Sequence, residues 1–280
     1  MKLGDLEFWL ITDGTFRLDG GAMFGVIPKP MWEKVAPPDS RNRILMAMNS
    51  LLIRAAGKNI LIETGAGDKW DAKRTEIYSF ESRPRLPDKL VTHGVPPEKI
   101  DIIINTHLHF DHCGWNTRMV NGEAIPLFPN ARYYVQRGEL EHAKNPTDRD
   151  RASYFVENFT PMEKTGQWNL LEKDTEIVPG LELIRAPGHN ADMMCVRLAG
   201  GGKTVFFTAD LIPTAAHVPY PWIMGYDLYP LTTLENKKKW ISQAVREQWL
   251  VIFGHDARTP AGYLRERAGK LDLEPVMIDV

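Results

Sequence analysis

Thr106-His107-Leu108-His109-Phe110-Asp111-His112 directly follows Asp101-Ile102-Ile103-Ile104-Asn105, a short apolar run that reads as a buried strand. His107 and His109 alternate, so in an extended stretch their rings point to the same side. Two imidazoles can then bind one ion, while the turn that follows presents Asp111 and His112 to a second. Neutral imidazole and carboxylate are the ligand set of zinc and its first-row neighbours. With eight histidines in 280 residues, such a cluster is not expected by chance.

Other short apolar runs surround this one. Residues 6–13 alternate as a strand does, and residues 48–54 and 59–63 read as a hairpin across Ala-Ala-Gly-Lys. Further strands are expected at 132–135, 181–184, 194–198, 204–208 and 250–253. Residues 234–249 carry Leu234, Ile241, Ala244, Val245 and Trp249 on one helical face, with Thr232 and Glu235 as a capping box. Pro260 is expected to open a last short helix through Ala268. Strand-rich halves with interspersed helices argue for two sheets between helices rather than a doubly wound sheet. Two segments lack a clean period: a proline-rich loop at about 20–40 and a polar insertion at about 140–170. Long irregular segments of this kind commonly border a binding site.

Three later histidine or aspartate positions also stand at expected strand ends. Ala186-Pro187-Gly188-His189 follows the strand at 181–184, Asp210 follows the strand at 204–208, and Phe253-Gly254-His255 closes the strand at 250–253. Together with the first motif, this order resembles the metallo-β-lactamase superfamily from about Leu6 to His255. The resemblance implies an α/β (α+β) fold, a four-layer αββα sandwich, in one domain over residues 1–280. It implies a first metal on His107, His109 and His189 and a second on Asp111, His112 and His255. Asp210 would bridge them. Two divalent ions per chain follow, zinc by default, with iron, manganese or cobalt as alternatives.

A shared water between such ions has its pKa lowered to about neutrality, giving a hydroxide nucleophile that bridges the metals. Asp111 and Asp210 are the expected catalytic carboxylates, Asp111 as the shuttle that returns the proton to the leaving group. No Gly-x-Ser-x-Gly elbow suggests a serine nucleophile instead. Two departures from the family stand out. Glu63-Thr64-Gly65 occupies a turn that commonly reads Asp-Thr-Gly, so Glu63 would orient ligands through a longer arm. Quorum-quenching lactonases carry a tyrosine three residues after the bridging aspartate, where this chain has Pro213. Cys113, beside the motif, reads as a small buried thiol.

Substrate class is narrowed by what is missing. Asp210, not cysteine, holds the bridging position, only 25 residues follow His255, and neither a nucleic-acid arm nor a flavin domain is expected. The single-domain lactonase, esterase and phosphotriesterase-like group remains. Met23, Phe24, Trp115, Phe155, Ile212, His217, Tyr220 and Trp222 are the candidate lining of an apolar pocket for an acyl chain. Lactone or carboxylic ester hydrolysis is therefore expected. The alternative is a phosphotriester or phosphodiester hydrolase, with Arg149 or Arg151 meeting an anionic diester. Less favoured readings are a mononuclear iron oxygenase of the persulfide type and a non-catalytic metal-binding protein.

A formal charge of −2 gives no reason to expect nucleic acid or an anionic membrane as a partner, so a small-molecule substrate is expected. Residues 1–14 carry Asp5, Glu7 and Asp13 and show no basic region followed by an apolar core, so no secretory signal is read. Two cysteines are too few for a disulfide framework. Cytoplasmic is the default expectation. Residues 20–32 offer a surface on which a second copy could pack as a homodimer.

Overall fold

Buried side chains alternate along the central strands, and that period of two builds a separate core on each face of one sheet. The structure is a computed structural model and describes residues 1–80 and 85–278. The chain opens with β1 (Lys2–Leu3), β2 (Leu6–Asp19), α1 (Gly20–Phe24), α2 (Lys29–Trp32), β3 (Arg43–Ala55) and β4 (Lys58–Ile62). It continues through α3 (Ala72–Tyr78), α4 (Leu86–Thr92), β5 (Ile102–Ile104), α5 (Phe110–Cys113) and a hairpin of β6 (Thr117–Val120) and β7 (Glu123–Pro126). Then come β8 (Arg132–Gln136), α6 (Arg137–Lys144), α7 (Pro161–Lys164) and β9 (Trp168–Leu171). The second half holds β10 (Thr175–Val178), β11 (Leu181–Arg185), β12 (Met194–Gly200), β13 (Lys203–Phe207) and α8 (Pro230–Glu247). It closes with β14 (Leu250–Ile252), β15 (Ala261–Arg267) and β16 (Lys270–Pro275).

One sheet has the order β1-β2-β3-β4-β5-β8-β9, and the other runs β10 to β16 in sequence. Leu51, Ile53, Ile60, Ile62, Ile102 and Ile104 face Leu183, Val196, Val205, Phe207 and Ile252 of the second sheet. Their neighbours Leu52, Leu61 and Ile103 turn the other way, onto Leu86 and Leu90 of α4 and Leu140 of α6. On the far side of the second sheet α8 buries Trp240, Ile241 and Ala244. The layers are therefore helix, sheet, sheet, helix. Among the described residues no helix is long and apolar enough to cross a membrane.

Helix α8 begins at Pro230 rather than at Thr232, so Thr232 and Glu235 lie inside it and form no capping box. Its buried positions Thr233, Lys237, Trp240, Ile241 and Ala244 recur every three or four residues, and it ends where Gln248 turns left-handed. The helix expected from Pro260 is a strand. Ala261, Gly262 and Leu264 pair in β15 between β14 and β16, and the alternation with Tyr263 and Arg265 is the period that the proline signal obscured. The segment at 20–40 is not a plain loop, since it contains α1 and α2.

Two parallel strand pairs position the site. β4 runs parallel to β5, and β13 parallel to β14, so the chain leaves each pair at a common end. Glu63, the motif from Thr106, Asp210 and His255 all emerge there. The two sheets are tied together at this rim: Ala47 N–H donates to His255 O (3.0 Å), Asn49 N–H to Gly254 O (2.9 Å) and Met194 N–H to Thr106 O (3.0 Å).

Candidate metal centre

After β5 the backbone bends rather than continuing as a strand, and α5 takes Asp111 and His112 into its single turn. His107, His109 and His189 offer ligand atoms all within 4.8 Å of one another. Asp111, His112 and His255 do the same, as do His107, His112 and Asp210. Asp210 faces both clusters with different oxygens. Its Oδ2 lies 3.2 Å from His189 Nε2 and 3.9 Å from His107 Nε2. Its Oδ1 lies 3.0 Å from His255 Nε2 and 3.5 Å from His112 Nε2.

The rings are held from behind. His107 Nδ1 meets Thr106 Oγ1 at 3.0 Å, His189 Nδ1 meets Asp227 Oδ1 at 3.0 Å, and His255 Nδ1 meets the Ala47 carbonyl at 2.8 Å. His112 Nδ1 stands 3.5 Å from Glu63 Oε2, while Glu63 Oε1 accepts from Thr106 N–H at 3.1 Å. A partner on one ring nitrogen fixes the tautomer that leaves the other free as a ligand. Those other nitrogens converge without satisfying one another. His189 Nε2 and His109 Nδ1 stand 3.0 Å apart, and His255 Nε2 and His112 Nε2 stand 3.1 Å apart. His107 Nε2 is buried with no hydrogen-bond partner. Lone pairs aimed at a shared point from buried imidazoles and carboxylates fit divalent cations of the zinc type.

Electrostatics follow burial and charge. Burial pushes His107 and His109 well below the usual imidazole range, reinforced by the neighbouring histidines. Burial also pulls His112 down, but the carboxylates of Asp210, Asp111 and Glu63 outweigh it and hold the ring well above that range. Asp210 is raised by burial yet held well below the carboxylate range by His255, His112 and His189.

Local backbone supports the arrangement. Glu63 (φ 62°) and Ala209 (φ 46°) adopt left-handed conformations beside the cluster, which the surrounding contacts must enforce. Gly188 (φ 149°) lets the Pro-Gly-His turn lie against α8, where a Cβ would run into Thr233. Pro213 lies at the same rim, its carbonyl accepting from His255 N–H at 2.8 Å. Cys113 is fully buried, its Sγ donating to the Leu108 and His109 carbonyls at 3.3 Å, and burial pushes its thiol well up.

A cleft of about 350 Å³ opens onto His109, Asp111, His189, Asp210 and His255. Of the residues expected to line it, Met23 does, together with Leu18, Met46, Phe110 and Met224. The others lie elsewhere, for reasons of packing. Phe24 is fully buried between Trp32 and His217. Ile212 belongs to the core between the sheets, and Tyr220 packs against that core. Trp115 is buried with its indole N–H on Asp13 Oδ1 at 2.7 Å. Trp222 meets the edge of Phe24, and Phe155 packs against Trp70 and Phe110 behind the cleft wall. His217 does not line the cleft either. Burial pushes it down to about 3, its Nδ1 meets Thr214 Oγ1 at 2.7 Å, and its Nε2 holds the Met23 carbonyl at 2.8 Å.

Arg149 lines the cleft mouth and donates to Gly225 O at 2.6 Å, whereas Arg151 is exposed and pairs with Asp148 at 3.0 Å. His93 caps α4, and His142 meets Asp150 Oδ2 at 2.5 Å. Tyr78, Tyr226 and Asp150 also line the cleft, and Asp227 stands behind His189, none of them expected from sequence. No local motif marks them; they come from segments that only tertiary folding brings to the rim. Glu139 was equally hidden. It accepts from Leu108 N–H (2.8 Å) and Tyr154 OH (3.2 Å), and burial pushes it up to about 8.

Comparison with known proteins adds to this geometry. The family model described as "Metallo-beta-lactamase superfamily" matches residues 45–255. An N-acyl homoserine lactonase from a Bacillus species is 29% identical over 184 residues, covering 64% of this chain and 64% of that protein. One from Bacillus cereus is 30% identical over 185 residues, covering 62% and 65%. The chain thus spans just under two thirds of the length of these relatives. Among solved structures, a probable metal-dependent hydrolase from Staphylococcus aureus superposes with a TM-score of 0.91 at 28% identity over 100% of both chains. The dizinc quorum-quenching lactonase AidC, in complex with a product, shares the fold with a TM-score of 0.80 at 21% identity, over 100% of this chain and 97% of its own.

Proposed function

The chain belongs to the metallo-beta-lactamase superfamily, and from that premise we propose that it is a dinuclear metal-dependent hydrolase of lactones or carboxylic esters. The observation that carries the proposal is the split carboxylate of Asp210, with one oxygen toward His107 and His189 and the other toward His112 and His255. A structural site needs four closed ligands, whereas this set is larger and opens onto a cleft. His107, His109 and His189 would hold one ion, Asp111, His112 and His255 the other, with Asp210 shared. Zinc is favoured by the imidazole and carboxylate donors and by the dizinc neighbour. When bound, the ions supply an activated water and polarise the substrate carbonyl.

The protein's own residues do the rest. Leu18, Met23, Met46 and Met224 give the cleft an apolar wall suited to an acyl chain. Thioether side chains adapt to chains of differing shape. Asp111, itself one of the proposed ligands, also lines the cleft, where the oxygen it leaves free accepts and carries a proton during hydrolysis. The lactonase relatives make an N-acyl lactone the leading substrate. A single domain over residues 1–280 accords with this reading, with segments 20–40 and 140–170 supplying Met23 and Arg149 to the cleft.

Elemental analysis of the purified protein, followed by rates on a lactone, an aryl ester and an aryl phosphate, tests the proposal. Close to two zinc per chain, lactone or ester turnover, and an inactive Asp210→Ala variant are expected. One ion, or none, would break its central step. Arg149 at the mouth favours a second reading, a phosphodiester hydrolase. A preference for the aryl phosphate that Arg149→Ala abolishes would establish that reading instead.

A further inference from the structure

The cleft contains two phenols that the ligand set does not use. Tyr78, at the end of α3, and Tyr226, shortly before α8, both line it with Asp111. Among the described residues neither hydroxyl has a hydrogen-bond partner. We propose that Tyr78 is the catalytic donor that protonates the leaving oxygen, and that Tyr226 donates a hydrogen bond to a more distant carbonyl of the substrate. The inference rests on the hydrolase reading above and names the groups that would complete it.

Fixation separates the two roles. The Tyr78 ring packs on Phe110 with centroids 4.9 Å apart, and Phe110 immediately precedes Asp111. Trp70 meets the Tyr78 ring edge-on at 5.6 Å, fixing it from behind. The phenol is thereby held on the Asp111 side of the cleft. Burial raises its pKa, which keeps the hydroxyl protonated. Tyr226 is 38% exposed and follows Gly225, whose carbonyl is tied to Arg149 at the mouth. Among the described residues no ring packs on it, so it lacks the fixation of Tyr78 and can turn toward a second carbonyl of the substrate.

In hydrolysis, water oxygen bonds to the carbonyl carbon and the bond from that carbon to the leaving oxygen breaks. The electron pair goes to the leaving oxygen, which takes the Tyr78 proton. One proton of the attacking water passes to Asp111 and from there to the Tyr78 phenolate, so both groups end in the protonation state in which they began. The products are an acid and an alcohol. A donor matters when the leaving group is a strong base, as an alkoxide is, and hardly at all for nitrophenolate.

The test compares zinc-loaded wild type, Tyr78→Phe and Tyr226→Phe on an N-hexanoyl lactone and on 4-nitrophenyl hexanoate. For Tyr78→Phe, kcat on the lactone should fall on the order of 100-fold, with the nitrophenyl ester within about 3-fold. For Tyr226→Phe, KM for the lactone should rise about 5- to 10-fold with kcat little changed. Zinc content of both variants should equal wild type. In wild type and Tyr78→Phe, but not in Tyr226→Phe, N-hexanoylglycine should perturb the Tyr226 contribution to the ultraviolet difference spectrum. Equal losses on both substrates, or none, overturn the Tyr78 assignment, and an unchanged KM overturns that of Tyr226. If wild type hydrolyses neither substrate, the hydrolase reading falls first and this inference with it.

Discussion

Asp227 Oδ1 stands 3.0 Å from His189 Nδ1, and the same carboxylate accepts from Thr233 Oγ1 at 2.7 Å through its other oxygen. Helix α8 thereby fixes the orientation of a candidate ligand on the far side of the cleft. Replacing Asp227 with alanine should leave the imidazole free to rotate and to take the wrong tautomer. Such partners typically contribute about 10- to 100-fold in metal affinity. Zinc competition against a chromophoric chelator should show a loss in that range. Undiminished affinity would remove Asp227 from any positioning role.

Glu63 bridges the two halves of the motif, accepting from Thr106 N–H while facing His112 Nδ1. Glu63→Gln keeps the shape but removes the negative charge behind His112. The ion expected on Asp111, His112 and His255 should weaken more than the one on His107, His109 and His189. Titration with zinc should then resolve one tight and one weak site. Two sites that remain equally tight would contradict this.

The clustering of these histidines and carboxylates was legible in the sequence because each follows a strand end, and strand ends are marked by short apolar runs such as Ile102-Ile103-Ile104. The helix–sheet–sheet–helix order was readable for the same reason. The pocket was not. Phe24, Trp115 and Ile212 have the composition of a pocket wall, but large apolar side chains are just as suited to a core, and these three are buried there. Tyr78 and Tyr226 reach the cleft through the path of long connections, on which periodicity is silent. The strand Ala261–Arg267 was obscured because Pro260 is as compatible with a strand entry as with a helix start.

Lys237 is fully buried on α8, and its Nζ donates to the carbonyls of His217 (2.7 Å), Pro219 (3.0 Å), Tyr220 (3.4 Å) and Trp222 (2.8 Å). These carbonyls belong to the loop that carries His217, which in turn holds Met23 at the cleft. Lys237→Met fills the space but strands the carbonyls, so a loss of about 2–4 kcal/mol is expected from urea unfolding. KM should rise as Met23 loses its support. A variant as stable as wild type would show that the loop holds itself.

Asp13 gives a pH dependence with a definite sign. Its Oδ1 accepts from Leu86 N–H (2.8 Å) and Trp115 Nε1–H (2.7 Å), and its Oδ2 from Ala66 (3.0 Å) and Gly67 (3.2 Å) N–H. Burial nevertheless outweighs these donors and raises the carboxyl from 3.8 to about 6. The folded chain therefore holds this proton more tightly than the unfolded chain. The resulting stabilisation is complete below about pH 3.8 and is lost as pH rises through about 6. Asp13→Asn cannot titrate, and its amide would turn an N–H toward Ala66 and Gly67, so the variant should be less stable in acid. Measured in chelator to keep metal out of the balance, the advantage of wild type over Asp13→Asn should shrink by roughly 2 kcal/mol between pH 4 and pH 7. An advantage that stays constant or grows with pH would mean that the four donors, not burial, govern this carboxylate.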